Sequence, residues 1–163
     1  MDPMTFEAMR AAFVNCSRSQ LKALPPPPGL ADLDWPNLDY LGWRDPKAPR
    51  RAYLVAPHGA DVVGLALRAP QGSGRRKGSA MCALCASVRT TSEVDLFVAP
   101  RAGSAGRAHN TVGTYICTDL ACSLYVRGLR ELDLPQGERL PVPARVARLT
   151  ERLAAFVARA VQN

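Results

Sequence analysis

The cysteines are the residues whose spacing most clearly suits a chemical role. Cys82 and Cys85 are separated by two residues in the segment MCALC, a spacing typical of zinc coordination, of a disulfide and of thiol–disulfide exchange. A second pair, Cys117 and Cys122, follows after 31 residues and has four residues between its members. Four thiolates satisfy the tetrahedral preference of zinc without a histidine, so these four residues are the predicted ligands of one Zn²⁺. The fifth cysteine, Cys16, stands alone.

The compartment expected for the chain favours a metal over a disulfide. The start of the sequence has no basic segment followed by an apolar run, and no segment approaches the roughly 20 apolar residues that span a bilayer. A cytoplasmic location is therefore expected, and there paired cysteines are more often metal ligands or redox groups than structural disulfides. Four thiolates also complete the coordination shell, which predicts a structural zinc without a position for an activated water.

The elements that must hold these cysteines follow from the residues around them. Between the pairs, SEVDLFVAP alternates apolar and polar residues, and TVGTYIC is a second β-like run that ends at Cys117. Thr118 or Asp119 is the predicted N-cap of a helix through LACSLYVRGL, with Cys122 in its first turn. A tight CxxC turn, two strands and a helix that carries the last ligand is the order of a treble-clef zinc finger.

The flanking segments predict further elements. RRAYLVAP and DVVGLALRAP are rich in β-branched and aromatic residues and predict a hairpin around PHGAD. Residues 4–24 predict one helix, or a helix and a turn, which the prolines at 25–28 end in an extended strap. Near the C-terminus, apolar residues at helical spacing predict an amphipathic helix packed on the sheet, although such a helix also suits a partner or a membrane surface. These apolar residues are Val146, Leu149, Leu153, Phe156, Val157 and Ala160.

The predicted fold is therefore α+β: a treble-clef zinc finger with a small antiparallel sheet and flanking N- and C-terminal helices. We expect an N-terminal helix and proline strap at 1–28, the zinc-binding domain at 29–135 and the C-terminal helix at 136–163.

The charge balance permits several partners. The chain has 21 basic residues against 14 acidic ones, a net charge of +7, which suits nucleic acid, the ribosome or an acidic protein. Of the basic residues 18 are arginine, a bias that is also typical of a GC-rich coding sequence. Residues 75–77, in a glycine- and serine-rich segment, predict a basic loop that is either a contact to RNA or an ordinary solvated loop. His58 and His109 are the only histidines, and four cysteines leave neither a place in the metal site.

Three segments together resemble a known family. YLGWRDPKAPRRAYLV, MCALC and NTVGTYICTDLACSLYVRG are similar to the C-terminal treble-clef domain of the elongation factor G-binding proteins, which include the FusB-type fusidic acid resistance proteins. The resemblance covers about residues 34–129. It implies a module that binds elongation factor G and helps it leave the ribosome, with Cys82, Cys85, Cys117 and Cys122 as zinc ligands. The resistance proteins have a helical bundle ahead of the zinc finger, where this sequence has room for one helix before the prolines.

Three classes of function follow. The first is a non-enzymatic, monomeric, zinc-stabilised module that binds elongation factor G, on or off the ribosome, without a membrane. The second is a nucleic-acid- or ribosome-binding zinc finger that uses the basic loop. The third is a thiol oxidoreductase, which requires a reactive Cys82 or Cys85 without metal. Because aromatic and arginine side chains dominate interface energetics, the predicted partner contacts are Phe97, Tyr125, Arg89 and Arg127.

Overall fold

The computed structural model describes residues 1–69 and 78–162, which form strands and helices around an antiparallel sheet. The strands are β1 (Leu41–Asp45), β2 (Ala48–His58), β3 (Asp61–Arg68), β4 (Ser79–Met81), β5 (Val88–Thr90), β6 (Val94–Pro100) and β7 (Thr111–Cys117). The α-helices are α1 (Phe6–Ala11), α2 (Arg18–Lys22), α3 (Gly103–Arg107), α4 (Cys122–Arg127) and α5 (Val142–Val161). The main sheet has the order β1-β2-β3-β6-β7, and β4 and β5 form a separate two-stranded ribbon.

The main sheet consists of a three-stranded unit, β1 to β3, and a hairpin, β6 and β7. The predicted hairpin is confirmed: β2 and β3 pair in continuous register up to His58 opposite Asp61, and Gly59 in the turn has φ 64°. The β6–β7 pair also holds continuous register, but its connection contains α3, where the sequence predicted only a linking stretch. The two parts of the sheet are joined where β3 pairs with β6, with Arg68 opposite Val98. The α+β class and the antiparallel sheet are therefore confirmed.

Alternation along β2 builds two hydrophobic cores, one on each face of the sheet. Ala52, Leu54 and Ala56 belong to the larger core, which also contains α4 and α5. Tyr53 and Val55 belong to a smaller core formed with the N-terminal segment. Successive residues of a strand point to opposite faces, so the apolar stretch of β2 at residues 52–56 requires a cover on both sides of the sheet.

The C-terminal helix covers the face of the larger core. α5 contacts α4, β2 and β7. Five of its six predicted apolar positions are buried and Val146 packs partly buried against the same core. The buried positions are Leu149, Leu153, Phe156, Val157 and Ala160. The division of the chain at residues 28 and 135 stays a prediction.

The N-terminal segment covers the other face. It contains two short helices rather than the one for which the sequence left room, because Ser17 starts α2 with a capping box. The Phe13 ring meets Trp43 and Tyr53 edge-on, at centroid distances of 6.2 Å and 5.9 Å. The Trp43 indole N–H donates to the carbonyl of Pro25 at 3.1 Å, which fixes the start of the proline strap.

Two sequence features lie beyond these elements. The basic loop predicted at residues 75–77 falls outside the described residues. Within residues 1–69 and 78–162, no helix is both long and apolar enough to cross a bilayer.

Gly64 is expected to be essential for packing the N-terminal segment on β3. Its N–H donates to Ala12 and its carbonyl accepts from Val14, so the two backbones are in direct contact. A Cβ at this position would lie 2.6 Å from a carbon of the Phe13 ring. We expect Gly64→Ala to lower the free energy of unfolding by about 1–3 kcal/mol, because the ring is held between two other aromatics. Urea titration measures the change.

Gly137→Ala is the matched control, since a Cβ there has no atom within 4 Å. The control should be neutral or slightly stabilising. Equal stability of the two variants would contradict the packing role of Gly64.

Candidate metal centre

Four cysteine sulfurs meet at one end of the main sheet. The sulfurs of Cys82, Cys85, Cys117 and Cys122 all lie within 4.8 Å of one another. The Cys82 and Cys122 sulfurs are 3.6 Å apart, and those of Cys85 and Cys117 are 3.7 Å apart. A zinc–sulfur bond of about 2.3 Å places the sulfurs of a regular tetrahedron about 3.8 Å apart. The donor set and its spacing thus fit Zn²⁺, whereas a disulfide would require about 2.05 Å.

Tight backbone turns aim these sulfurs at a common point. Cys82 and Cys85 lie in the turn between β4 and β5, where the Ala86 N–H donates to the Cys82 carbonyl at 3.0 Å. Ala86 has φ 62° and Leu120, between the second pair, has φ 58°. This left-handed conformation costs a residue with a Cβ roughly 1–2 kcal/mol. Two such residues beside the ligands indicate that the sulfur geometry determines the local backbone.

Burial makes the protonation of the sulfurs dependent on a cation. All four cysteines are buried, with at most 3% of any one exposed. Burial raises the pKa of the Cys122 thiol, whereas donation from the neighbouring thiols of Cys117 and then Cys122 lowers the pKa of Cys85. Four thiolates together are therefore unfavourable in this buried position unless a cation offsets their charge. A divalent cation stabilises the thiolate form of every ligand, because only thiolates coordinate it.

Side chains from the C-terminal helix hold the first cysteine turn. Arg148 donates to the Cys85 carbonyl at 3.1 Å, and Arg152 donates to the Ala83 carbonyl at 3.1 Å. On the other side, the Ala83 N–H donates to the carbonyl of Tyr115 in β7 at 2.8 Å. The turn is thus fixed from two directions, and two guanidinium groups lie close to a site that carries a charge of about −2 when it holds zinc.

Tyr40 places a hydroxyl group beside the ligands. The residue is 1% exposed, and its hydroxyl has no conventional hydrogen-bond partner among the described residues. Burial and then the neighbouring Cys122 sulfur raise the pKa of Tyr40, which keeps the group protonated. A buried hydroxyl without another acceptor is satisfied by donating to a thiolate, so the metal-bound form of Cys122 completes this contact. No sequence pattern indicates this contact, because the two residues are far apart in the chain.

The predicted partner contacts lie mostly inside the domain. Phe97 is fully buried, and the Arg44 guanidinium lies over its ring at 4.9 Å from the centroid. The Arg89 guanidinium stacks on the Tyr125 ring at 4.4 Å and pairs with Glu93. Arg89 and Tyr125 are 6% and 4% exposed. The structure gives these side chains an internal role, and their contact with a partner stays a prediction.

Arg127, the fourth predicted partner contact, is held in an ion pair within the protein, and α4 begins later than the sequence predicted. Arg127 forms a two-pronged ion pair with Asp39, with one N–O distance of 3.0 Å.

Ala121, rather than Thr118 or Asp119, is the N-cap of α4, and no side chain caps the helix. The Asp119 carboxylate instead accepts from the Ala121 N–H at 3.1 Å, one residue before the helix begins. The histidines are not part of the sulfur cluster.

Comparisons with known proteins agree with this geometry. The model of a family described as FBP C-terminal treble-clef zinc-finger matches residues 8–160. The solved structure of the fusidic acid resistance protein FusC is similar to the chain, with 19% sequence identity and a TM-score of 0.52. The likeness covers 90% of this chain but 59% of FusC, so the chain spans about three fifths of that protein. No curated protein sequence matches the chain significantly. The predicted treble clef and its zinc cofactor are thereby confirmed.

Loss of one ligand should release the metal. We expect Cys122→Ser to abolish zinc retention and unfold the domain, because structural zinc contributes on the order of 10 kcal/mol to such folds. Metal analysis and circular dichroism of the purified protein measure both effects. Cys16→Ser is the control, since Cys16 lies outside the cluster and burial raises its pKa to about 11. Full zinc content in the Cys122 variant would contradict the assignment of that ligand.

Tyr40→Phe should keep the fold but lower the affinity for zinc. Removing an outer-shell donor typically costs about 10- to 100-fold in metal affinity. Competition with a chromogenic chelator measures this affinity. Tyr115→Phe is the control, because Tyr115 is 54% exposed. If both variants bind zinc as tightly as the wild type, the Tyr40 hydroxyl does not support the site.

Proposed function

Since the chain belongs to the FBP C-terminal treble-clef zinc-finger family, whose model matches most of its length, we propose that it is a zinc-stabilised module that binds translation elongation factor G. The family is the one that the sequence resembles. In this proposal the protein acts in the cytoplasm as a monomer and promotes release of the factor from the ribosome. The observation that carries the proposal is the family match together with the four-sulfur site.

The chemistry of the site supports binding rather than catalysis. A zinc ion with four cysteine ligands has no open position at which to activate water or polarise a carbonyl group. Its contribution is to hold the CxxC turn, β7 and α4 in one arrangement. A rigid surface loses less conformational entropy when a partner binds, so this arrangement favours protein recognition.

An exposed apolar patch beside the metal offers a surface for this partner. Leu96 and Tyr115 are directly opposite each other on β6 and β7, and they are 37% and 54% exposed. Met81 is 59% exposed and stands two residues before Ala83, whose N–H donates to the Tyr115 carbonyl. We name Met81, Leu96 and Tyr115 the knuckle patch. Aromatic and apolar side chains that cluster near a rigid turn are typical anchors of a protein interface.

Fusidic acid resistance is a separate part of the proposal. FusC is described as a fusidic acid resistance protein, and this chain spans 59% of its length. Factor binding and rescue from the drug therefore require separate experiments.

The purified protein should form a stoichiometric complex with the elongation factor G of its own organism. We expect Tyr115→Ala to weaken the complex by about 2 kcal/mol, roughly 30-fold in Kd, because truncation of an interface anchor has a cost of this size. Calorimetry measures the affinity. Val14→Ala is the matched control, an exposed apolar residue outside the knuckle patch that is 42% exposed.

Failure to form a complex at tens of micromolar would refute the proposal. If the Tyr115 variant binds the factor as tightly as the wild type does, the interface lies outside the knuckle patch. A translation assay with fusidic acid then shows whether binding is accompanied by rescue.

A further inference from the structure

Three adjoining clefts form a groove along the face that the N-terminal helices cover. The first has a volume of about 90 Å³ and lies between α2 and the ends of β2 and β3. It shares Arg51 and Arg68 with a second cleft of about 430 Å³. It shares Asn15 and Pro100 with a third of about 350 Å³ that extends to α3. Because neighbouring clefts share lining residues, we treat them as one groove.

The charged residues in the lining of this groove are all basic. Five of the 21 basic residues of the chain line it, and none of the 14 acidic residues does so among the described residues. We name the feature the arginine groove after these five residues, which are Arg50, Arg51, Arg68, Arg101 and Arg107. Carboxylates that pair with other arginines, such as Asp95 with Arg44 and Asp39 with Arg127, lie outside this lining. The absence of acidic residues from the groove is therefore a local property of the surface.

Arg51 and Arg68 are the centre of this feature. They are directly opposite each other on β2 and β3, so their side chains stand on the same face of the sheet. Both are exposed, and within residues 1–69 and 78–162 no ion pair joins either of them to an acid. Like charges directly opposite across a strand pair destabilise the folded state. An anion between the two guanidinium groups removes this repulsion.

We propose that the arginine groove binds successive phosphates of a nucleic-acid strand. Arginine presents a planar fork of N–H donors that matches a phosphate group, and every basic residue of the groove is an arginine. A row of cations along a groove is the arrangement that follows a polyanionic backbone. The Asn15 side chain in the lining is bonded to the backbone of Ala66 and Pro100, and Ser17 and Gln20 form the capping box of α2, so contacts to phosphate are left to the arginines.

The surroundings of the groove favour nucleic acid over an acidic protein. Protein interfaces depend on large desolvated apolar anchors. Among the large exposed apolar residues in the described part of the chain, only Val14 lines one of the three clefts. Binding in the groove thus depends on charge, as expected for contacts to a phosphate backbone. This surface is separate from the knuckle patch, so the inference does not depend on the proposed factor binding.

Fluorescence anisotropy with the full-length protein tests the inference. The probes are a labelled single-stranded RNA of 20 nucleotides and a DNA of the same sequence, each titrated at several salt concentrations. We expect both to bind, with an affinity that falls as salt rises. In the double variant R51Q/R68Q the slope of log K against log salt should decrease by about 1.4, and binding should weaken about 25-fold at 0.1 M salt, because each single-strand phosphate contact contributes about 0.7 to that slope.

The control R130Q/R139Q removes the same charge outside the groove. It should keep most of the affinity, and both double variants should keep their zinc and their melting temperature. Equal binding by R51Q/R68Q and the wild type, or no binding of either probe at low salt, would overturn the inference. A polyglutamate peptide that binds as tightly as RNA, with the same loss in R51Q/R68Q, would overturn it in favour of an acidic protein. Preference for RNA over DNA would support it and add a contact to the 2′-hydroxyl.

Discussion

Four buried sulfur atoms within 4.8 Å of one another require a cation, and much of the domain is arranged around this requirement. Without a cation, four adjacent thiolates in a water-free site repel one another and lose their hydration. With zinc, the same four groups join the turn between β4 and β5, the end of β7 and the first residue of α4. Three elements that share little contact of their own are thereby held as one unit. The metal also accounts for two residues with a Cβ in left-handed backbone conformation.

The main sheet has α5 on one face and the surfaces that remain for partners on the other. Alternate residues of β6 and β7 face either α5 or the opposite side, and Phe97 and Leu96 illustrate the two directions. The N-terminal helices cover the opposite side only over the first strands, through the core around Trp43. Leu96 and Tyr115 of the knuckle patch therefore stay exposed on β6 and β7, and the arginine groove follows the border of the N-terminal segment. One face of the sheet thus packs against α5, the metal centre lies at one end of the sheet, and the other face presents two chemically different surfaces.

The sequence predicted the features that depend on local periodicity and missed those that depend on distant contacts. Alternation predicted the β2–β3 hairpin, and paired spacing selected the four cysteines that the structure brings together. Side-chain type alone selected Phe97 as a partner contact, although a large aromatic side chain is as typical of a core as of an interface. The contacts of Tyr40 with Cys122 and of Arg148 with Cys85 join residues far apart in sequence. No spacing rule connects such residues, so only the folded chain shows them.

The position of Arg148 and Arg152 in the chain has a consequence during protein synthesis. Both belong to α5, and they are translated after the last of the four cysteines. Every sulfur ligand therefore precedes α5 in the chain, and α5 adds only the two guanidinium groups that hold the first turn. Metal capture can therefore precede docking of the last helix, and that docking then fixes a turn whose ligands are already in place.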